Sequence, residues 1–166
     1  MSAKNSVNIS FSVNGEKFDD VVVQSRQHLA DYLRSQGLTG THLGCEQGAC
    51  GACTIEMDGK AVRSCLVLAS QANGSSITTV EGFDDEIMKK VKNNFLKHNA
   101  FQCGFCSPGM LMTTKEIISS KKKLTRDEIR SEISGNYCRC TGYQSIVDAI
   151  EESINEINWG VKYGWH

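Results

Sequence analysis

The chain has 166 residues, enough for one ordinary domain or two small ones. Its 18 Lys+Arg balance 19 Asp+Glu, and 40% of the residues are apolar against 22% charged. Those figures exclude a disordered polyelectrolyte and the basic excess of a nucleic-acid binder. The longest apolar runs, such as Leu66–Ala69, fall far short of the roughly 18 residues that a membrane span needs.

The first half reads as β-rich. Val7, Ile9, Phe11 and Val13 alternate with polar residues, the period of a strand with one buried face. Asn14-Gly15 tolerates the positive φ angles of a tight hairpin turn, and Phe18 to Val23 reads as the returning strand. Ser25 is expected to cap a short helix carrying Leu29, Tyr32 and Leu33, which Gly37 ends. A second hairpin is expected from Thr54-Ile-Glu-Met, the Asp58-Gly59 turn and Lys60-Ala-Val. Ile77 to Val80 is a further β-branched run. Short strands with one crossing helix predict a small β-grasp-like module.

The pattern changes after about Gly82. Ile87, Met88, Val91 and Phe95 fall at helical spacing, and Met110 to Ile118 does so after Ser107-Pro108, where Ser can cap and Pro suits the first turn. Thr125-Arg-Asp-Glu128 matches a capping box. A last helix is expected from Ser145, with Ile146, Ala149, Ile150 and Ile154 on one face. Four helices in about 80 residues predict a compact bundle. Lys121–Lys123 reads as a solvated loop between helices.

Met1–Ser10 shows no apolar h-region, so a cytoplasmic location is the expectation. Eight cysteines are then many, because clustered cysteines in a reducing compartment more often hold metal than form disulfides. They fall into two groups of four: Cys45, Cys50, Cys53 and Cys65, then Cys103, Cys106, Cys138 and Cys140. Four thiolates suit one closed zinc site or one iron–sulfur cluster. The Cys45-x4-Cys50-x2-Cys53 spacing with distant Cys65 is that of a plant-type 2Fe–2S loop. Gly44, Gly48 and Gly51, with Ala49 and Ala52, leave room for a cluster. His42 reads as a loop residue. The second group pairs Cys103-x2-Cys106 with Cys138-x-Cys140, a spacing that zinc could also use. The expected helix start after Cys106 and the charge of Arg139 would favour an anionic redox centre there. A diferric 2Fe–2S cluster with four thiolates carries about −2, and about −3 once reduced, so two would take the chain from −1 to about −5.

Three segments then point to a family: Gly44-Cys-Glu-Gln-Gly-Ala-Cys-Gly-Ala-Cys53, Gln102-Cys-Gly-Phe-Cys-Ser-Pro-Gly-Met110 and Gly135-Asn-Tyr-Cys-Arg-Cys-Thr-Gly-Tyr143. In this order they resemble the iron–sulfur small subunit of the molybdenum hydroxylases, the xanthine dehydrogenase and aldehyde oxidase family. The resemblance spans nearly the whole chain, whose length looks like the stand-alone small subunit of three-subunit members.

It implies an α+β protein: a plant-type 2Fe–2S ferredoxin (β-grasp) domain over 1–81, then a four-helix-bundle 2Fe–2S domain over 82–166. It implies all eight cysteines as metal ligands and no catalytic residue in this chain. It also implies a large partner with a molybdopterin-type molybdenum cofactor and a medium partner with FAD, in a dimer of heterotrimers. Electrons would pass from molybdenum through the helical-domain cluster and the ferredoxin-domain cluster to FAD. Gln102 and Cys140 would approach the pterin, although Gln102 also reads as a helix-edge polar residue. A free-standing two-cluster carrier and a zinc-stabilised interaction module are the alternatives. The tail Trp159–His166 matches no motif of the family; docking on a partner and a frayed terminus are both open readings for it.

Overall fold

The computed structural model describes residues 5–162, the last five of them as backbone only. The expectation for the Trp159–His166 tail therefore lies outside the described side chains. Strands β1 (Ser6–Val13) and β2 (Glu16–Gln24) form the first hairpin. Asn14 and Gly15 both take positive φ, 53° and 85°, as the tight turn demands. After helix α1 (Leu29–Ser35) and a long loop, β3 (Thr54–Met57) and β4 (Lys60–Arg63) form the second hairpin. Strand β5 (Ser76–Thr78) runs parallel to β1 and antiparallel to β3, giving the sheet order β2-β1-β5-β3-β4. Helix α1 buries Leu29, Tyr32 and Leu33 in one core with Ile9, Phe11 and Ile55 of the sheet. A mixed sheet with one crossing helix is what the first half of the sequence predicts.

Four helices follow: α2 (Glu86–Lys97), α3 (Ser107–Ser119), α4 (Arg126–Glu132) and α5 (Gln144–Lys162). Helix α5 packs on the other three. Its Ile146, Ala149, Ile150 and Ile154 share a second core with Met88, Phe95, Met110 and Ile129. The Thr125–Glu128 capping box forms, its Thr125 Oγ1 accepting from the Glu128 N–H and its Glu128 carboxylate from the Thr125 N–H. Lys121–Lys123 are exposed. No helix among the described residues is long and apolar enough to cross a membrane.

Four local expectations are corrected. Ser25 does not cap α1. The helix starts at Leu29 after an extended His28, because residues 27–29 pair with 67–69: Leu29 N–H donates to the Val67 carbonyl at 2.7 Å and Ala69 N–H to the Gln27 carbonyl at 2.8 Å. Ser107 lies inside α3 rather than at its cap, since Cys106 already has helical φ/ψ and its carbonyl accepts from Met110 N–H at 3.0 Å. The strand at Ile77 ends at Thr78, and Val80 turns away to pack on the helical core. Ile87 is 45% exposed. The other expected residues of that face, Met88, Val91 and Phe95, are buried, and Asn94 is buried with them, its amide donating to Ser153 Oγ and to a Glu156 carboxylate oxygen.

Candidate metal centres at two cysteine quartets

The loop between α1 and β3 carries Cys45, Cys50 and Cys53, and the turn Ser64–Leu66 after β4 brings in Cys65. Ser64 ties the two segments together, since both its N–H and its Oγ donate to the Cys53 carbonyl, at 3.3 and 2.7 Å. Within the quartet Cys45 lies beside Cys50 and Cys53 beside Cys65. Backbone N–H groups of Gln47 and Cys50 point at Cys45 Sγ, the latter at 3.3 Å, and bring that thiol down to about 7. Burial, then the neighbouring Cys53 thiol, pushes Cys65 up to about 11. The loop wraps closely, since a Cβ on Gly44 would stand 3.1 Å from Cys50 Sγ.

The second quartet comes from the turn before α3 and from the segment between the Ile133–Gly135 turn and α5. Again the thiols pair, Cys106 with Cys138 and Cys103 with Cys140. Burial, then Cys138, pushes the Cys106 thiol up to about 12. Burial opposes ionisation of Cys138 too, but the Thr141 hydroxyl, donating to its Sγ at 3.1 Å, and the Thr141 and Cys140 N–H groups bring it below the usual thiol value. The Cys103 thiol holds that of Cys140 above its ordinary value. Cys106 is buried and Cys138 partly so, whereas Cys103 and Cys140 are exposed, as are the adjacent Gln102 and Arg139.

Among the described residues no three His, Cys, Asp or Glu side chains converge as ligands of a single ion. Two thiol pairs per quartet are instead the donor set of a binuclear centre, in which each iron takes two thiolates. The N–H and O–H groups aimed at the sulfurs, and a loop without Cβ atoms in its path, fit a compact anionic cluster.

The quartets share a seam. Tyr137 N–H donates to the Cys50 carbonyl at 2.8 Å, so one hydrogen bond separates the main chain of Cys50 from that of Cys138's neighbour. Buried Asn136 donates to the Gly51 carbonyl at 3.3 Å and accepts from Thr113 Oγ1 at 2.9 Å. Gly51 (φ +73°) and Gly109 meet there, and a Cβ on Gly109 would lie 2.1 Å from the Gly51 oxygen. His42 is indeed a loop residue, but it also bridges the halves. Its ring stacks on Phe105 with centroids 4.9 Å apart, and its Nδ1–H donates to the Phe105 carbonyl at 2.8 Å. His42 and Asn136 acquire these roles from contacts 63 and 85 residues away in sequence. The local signal both carried was nearness to a cysteine, Asn136 two residues before Cys138 and His42 three before Cys45.

Comparison with known proteins agrees with this geometry. Residues 11–82 match the profile of a "2Fe-2S iron-sulfur cluster binding domain", and residues 79–151 that of a "[2Fe-2S] binding domain". The nicotine 6-hydroxylase small subunit of Paenarthrobacter nicotinovorans is 48% identical over 157 residues, covering 94% of each chain. Caffeine dehydrogenase subunit gamma of Pseudomonas sp. (strain CBB1) is 49% identical, covering 86% of this chain and 88% of its own. A chain in the crystal structure of quinoline 2-oxidoreductase from Pseudomonas putida 86 superposes with a TM-score of 0.86 at 47% identity, covering 97% of this chain and 99% of its own. Two cluster-binding domains in this order, over full-length relatives of this kind, settle the family: the chain belongs to the iron–sulfur small subunits of the molybdenum hydroxylases, the electron-transfer subunits of the xanthine dehydrogenase and aldehyde oxidase family.

Proposed function

We propose that the chain holds two 2Fe–2S clusters, one on Cys45, Cys50, Cys53 and Cys65 and one on Cys103, Cys106, Cys138 and Cys140. They would relay electrons between a molybdenum-cofactor subunit and an FAD subunit. The observation that carries this reading is that each quartet is assembled from two separated segments with hydrogen-bond donors aimed at its sulfurs: Ser64 ties Cys53 to the Cys65 turn, Cys50 N–H donates to Cys45 Sγ, and the Thr141 hydroxyl donates to Cys138 Sγ. When bound, each cluster supplies a one-electron store, diferric when oxidised. The chain's own residues hold the sulfurs, offer N–H and O–H groups to them, and fix the distance between the quartets through the seam. Substrate chemistry belongs to the partner that carries molybdenum.

The module boundary falls between residues 81 and 82 in this reading. Ile77 belongs to the sheet core and Phe83 to the helical one, so the chain changes core within a few residues. The second module is then a four-helix bundle with α5 as its central member. The exposed Cys103–Cys140 pair, with Gln102 beside it, is the face that approaches the pterin of the large subunit. Phe105 and Tyr137, 48% and 58% exposed near that pair, support a docked rather than a freely diffusing subunit. The loop quartet, with Cys53 and Cys65 buried and Cys45 and Cys50 half-buried, faces the FAD subunit, and the complex assembles in the cytoplasm as a dimer of heterotrimers.

Metal analysis of anaerobically purified protein tests the reading. About four irons and four acid-labile sulfides per chain are expected from two complete quartets. Two irons, or stoichiometric zinc, would overturn the two-cluster assignment.

A further inference from the structure

We propose that Arg63 is a shared cation between the two cysteine quartets, positioned to stabilise the reduced form of both clusters. The inference rests on the two-cluster reading and goes beyond it to a residue that ligates neither cluster.

Arg63 ends β4, two residues before Cys65. Its guanidinium reaches across the seam in the opposite direction. Nη1 donates to Thr54 Oγ1, and Thr54, adjacent to Cys53, donates its hydroxyl hydrogen bond to the Gly51 carbonyl at 2.5 Å. Nη2 donates to the Gly135 carbonyl at 2.8 Å and lies 3.4 Å from Asn136 Oδ1, on the segment that leads into Cys138. One side chain thus touches the residue next to Cys53 in one quartet and residues two and three positions before Cys138 in the other.

Its acceptors are all neutral. Among the described residues Arg63 forms no ion pair, although Lys89, Lys97, Lys115 and Arg126 all do. Arg63 is also only partly exposed, so solvent screens its charge less than that of a surface arginine. A strand-end arginine kept only for its hydrogen bonds has no need of this place, whereas a positive charge between two anionic centres has a clear consequence. Adding one electron takes each cluster from about −2 to about −3, and a nearby uncompensated cation favours the more negative state. Being shared, Arg63 acts on both potentials in the same direction, which no ligand of a single cluster does.

The test is a dye-mediated redox titration of the whole purified complex, with dithionite as reductant and low-temperature EPR following each cluster's own signal. In Arg63→Gln a polar amide remains on a shorter stem but the charge is gone, and both midpoint potentials should shift to more negative values. In Arg63→Lys the charge remains while the fork that spans the seam is lost. Both potentials should stay near wild type while the thermal midpoint falls. Unchanged potentials in the glutamine variant, or a shift in only one of them, would overturn the proposal. Should the glutamine variant lose iron, Arg63→Met, uncharged and of similar length, takes its place under the same two outcomes, and a fall of both potentials in the lysine variant would show that geometry rather than charge was responsible. If the wild-type complex itself lacks two reducible signals, the two-cluster reading has failed, and that outcome is distinct from an unmoved potential.

Discussion

At the scale of single residues, the two quartets use the same device in different settings. Each pairs its thiols and offers hydrogen-bond donors to selected sulfurs: the Gln47 and Cys50 N–H groups at Cys45, the Thr141 hydroxyl at Cys138. The sulfurs are independent although the backbones are not, because the contact from Tyr137 N–H reaches the Cys50 carbonyl and leaves its Sγ alone. Cys50→Ser should therefore remove the loop cluster only. Iron should fall from about four to about two per chain, and one of two EPR signals should vanish while the other keeps its shape. Loss of both signals in protein that remains folded would contradict two separate sites. The loop ligands were legible in sequence because three of the four lie within nine residues, where spacing alone constrains geometry. Their pairing was not, since Cys65 reaches Cys53 only after β3 and β4 have folded.

At the scale of elements, α3 and α5 carry the arguments that sequence periodicity could begin but not finish. Helix α3 approaches the Cys50–Cys53 loop so closely that Gly109 has no room for a side chain. Gly109→Ala must push the helix off the Gly51 carbonyl, and the expected cost is about 1–3 kcal/mol, read as a drop in stability by denaturant unfolding. A neutral result would show that the seam is loose. Between α2 and α5, Glu152 meets Lys97 and His98. The Lys97 ammonium, and after it His98, holds the Glu152 carboxyl below the usual carboxylate range. A depressed carboxyl contributes stability above its unfolded value, near 4.3, and loses it as pH falls through the folded value. Glu152→Gln should thus lower the thermal midpoint at pH 7, and the difference from wild type should close as the pH drops below about 4. A difference that persists unchanged into acid would assign the effect to packing.

The helix starts show why local patterns stop short. Thr125 and Glu128 formed their expected cap because both partners lie within one turn. Ser25 failed because pairing of residues 27–29 with 67–69 holds the intervening backbone extended. The predicted face of α2 buries Met88, Val91 and Phe95 as expected, but Ile87 in its first turn is exposed, and the face also buries Asn94, whose amide Ser153 satisfies, a polar position that an apolar period does not mark.

At the scale of the whole molecule, two small cores are joined by a polar seam, and the seam lies between the cysteine quartets. The ion pair of Lys115 with Glu56, the His42–Phe105 stack and the Asn136 hydrogen bonds all cross it. Such a joint fixes the separation and orientation of two redox sites, as a relay requires. The family motifs made the two-site plan legible, whereas the joint arises from contacts that no local window contains. On the direction proposed from the family resemblance, the exposed Cys103–Cys140 pair would be the entry side and the loop quartet the exit. A Cys50→Ser complex should then let substrate reduce the molybdenum centre and the helical-domain cluster before stalling ahead of FAD.

The most direct test is rapid-mixing absorbance with freeze-quench EPR on a Cys106→Ser complex whose assembly has been checked by native mass measurement, since losing a cluster can unfold its domain. Substrate should still reduce molybdenum, and FAD reduction should become very slow. Transfer from substrate to FAD at the wild-type rate would contradict the account of this chain as the relay between them.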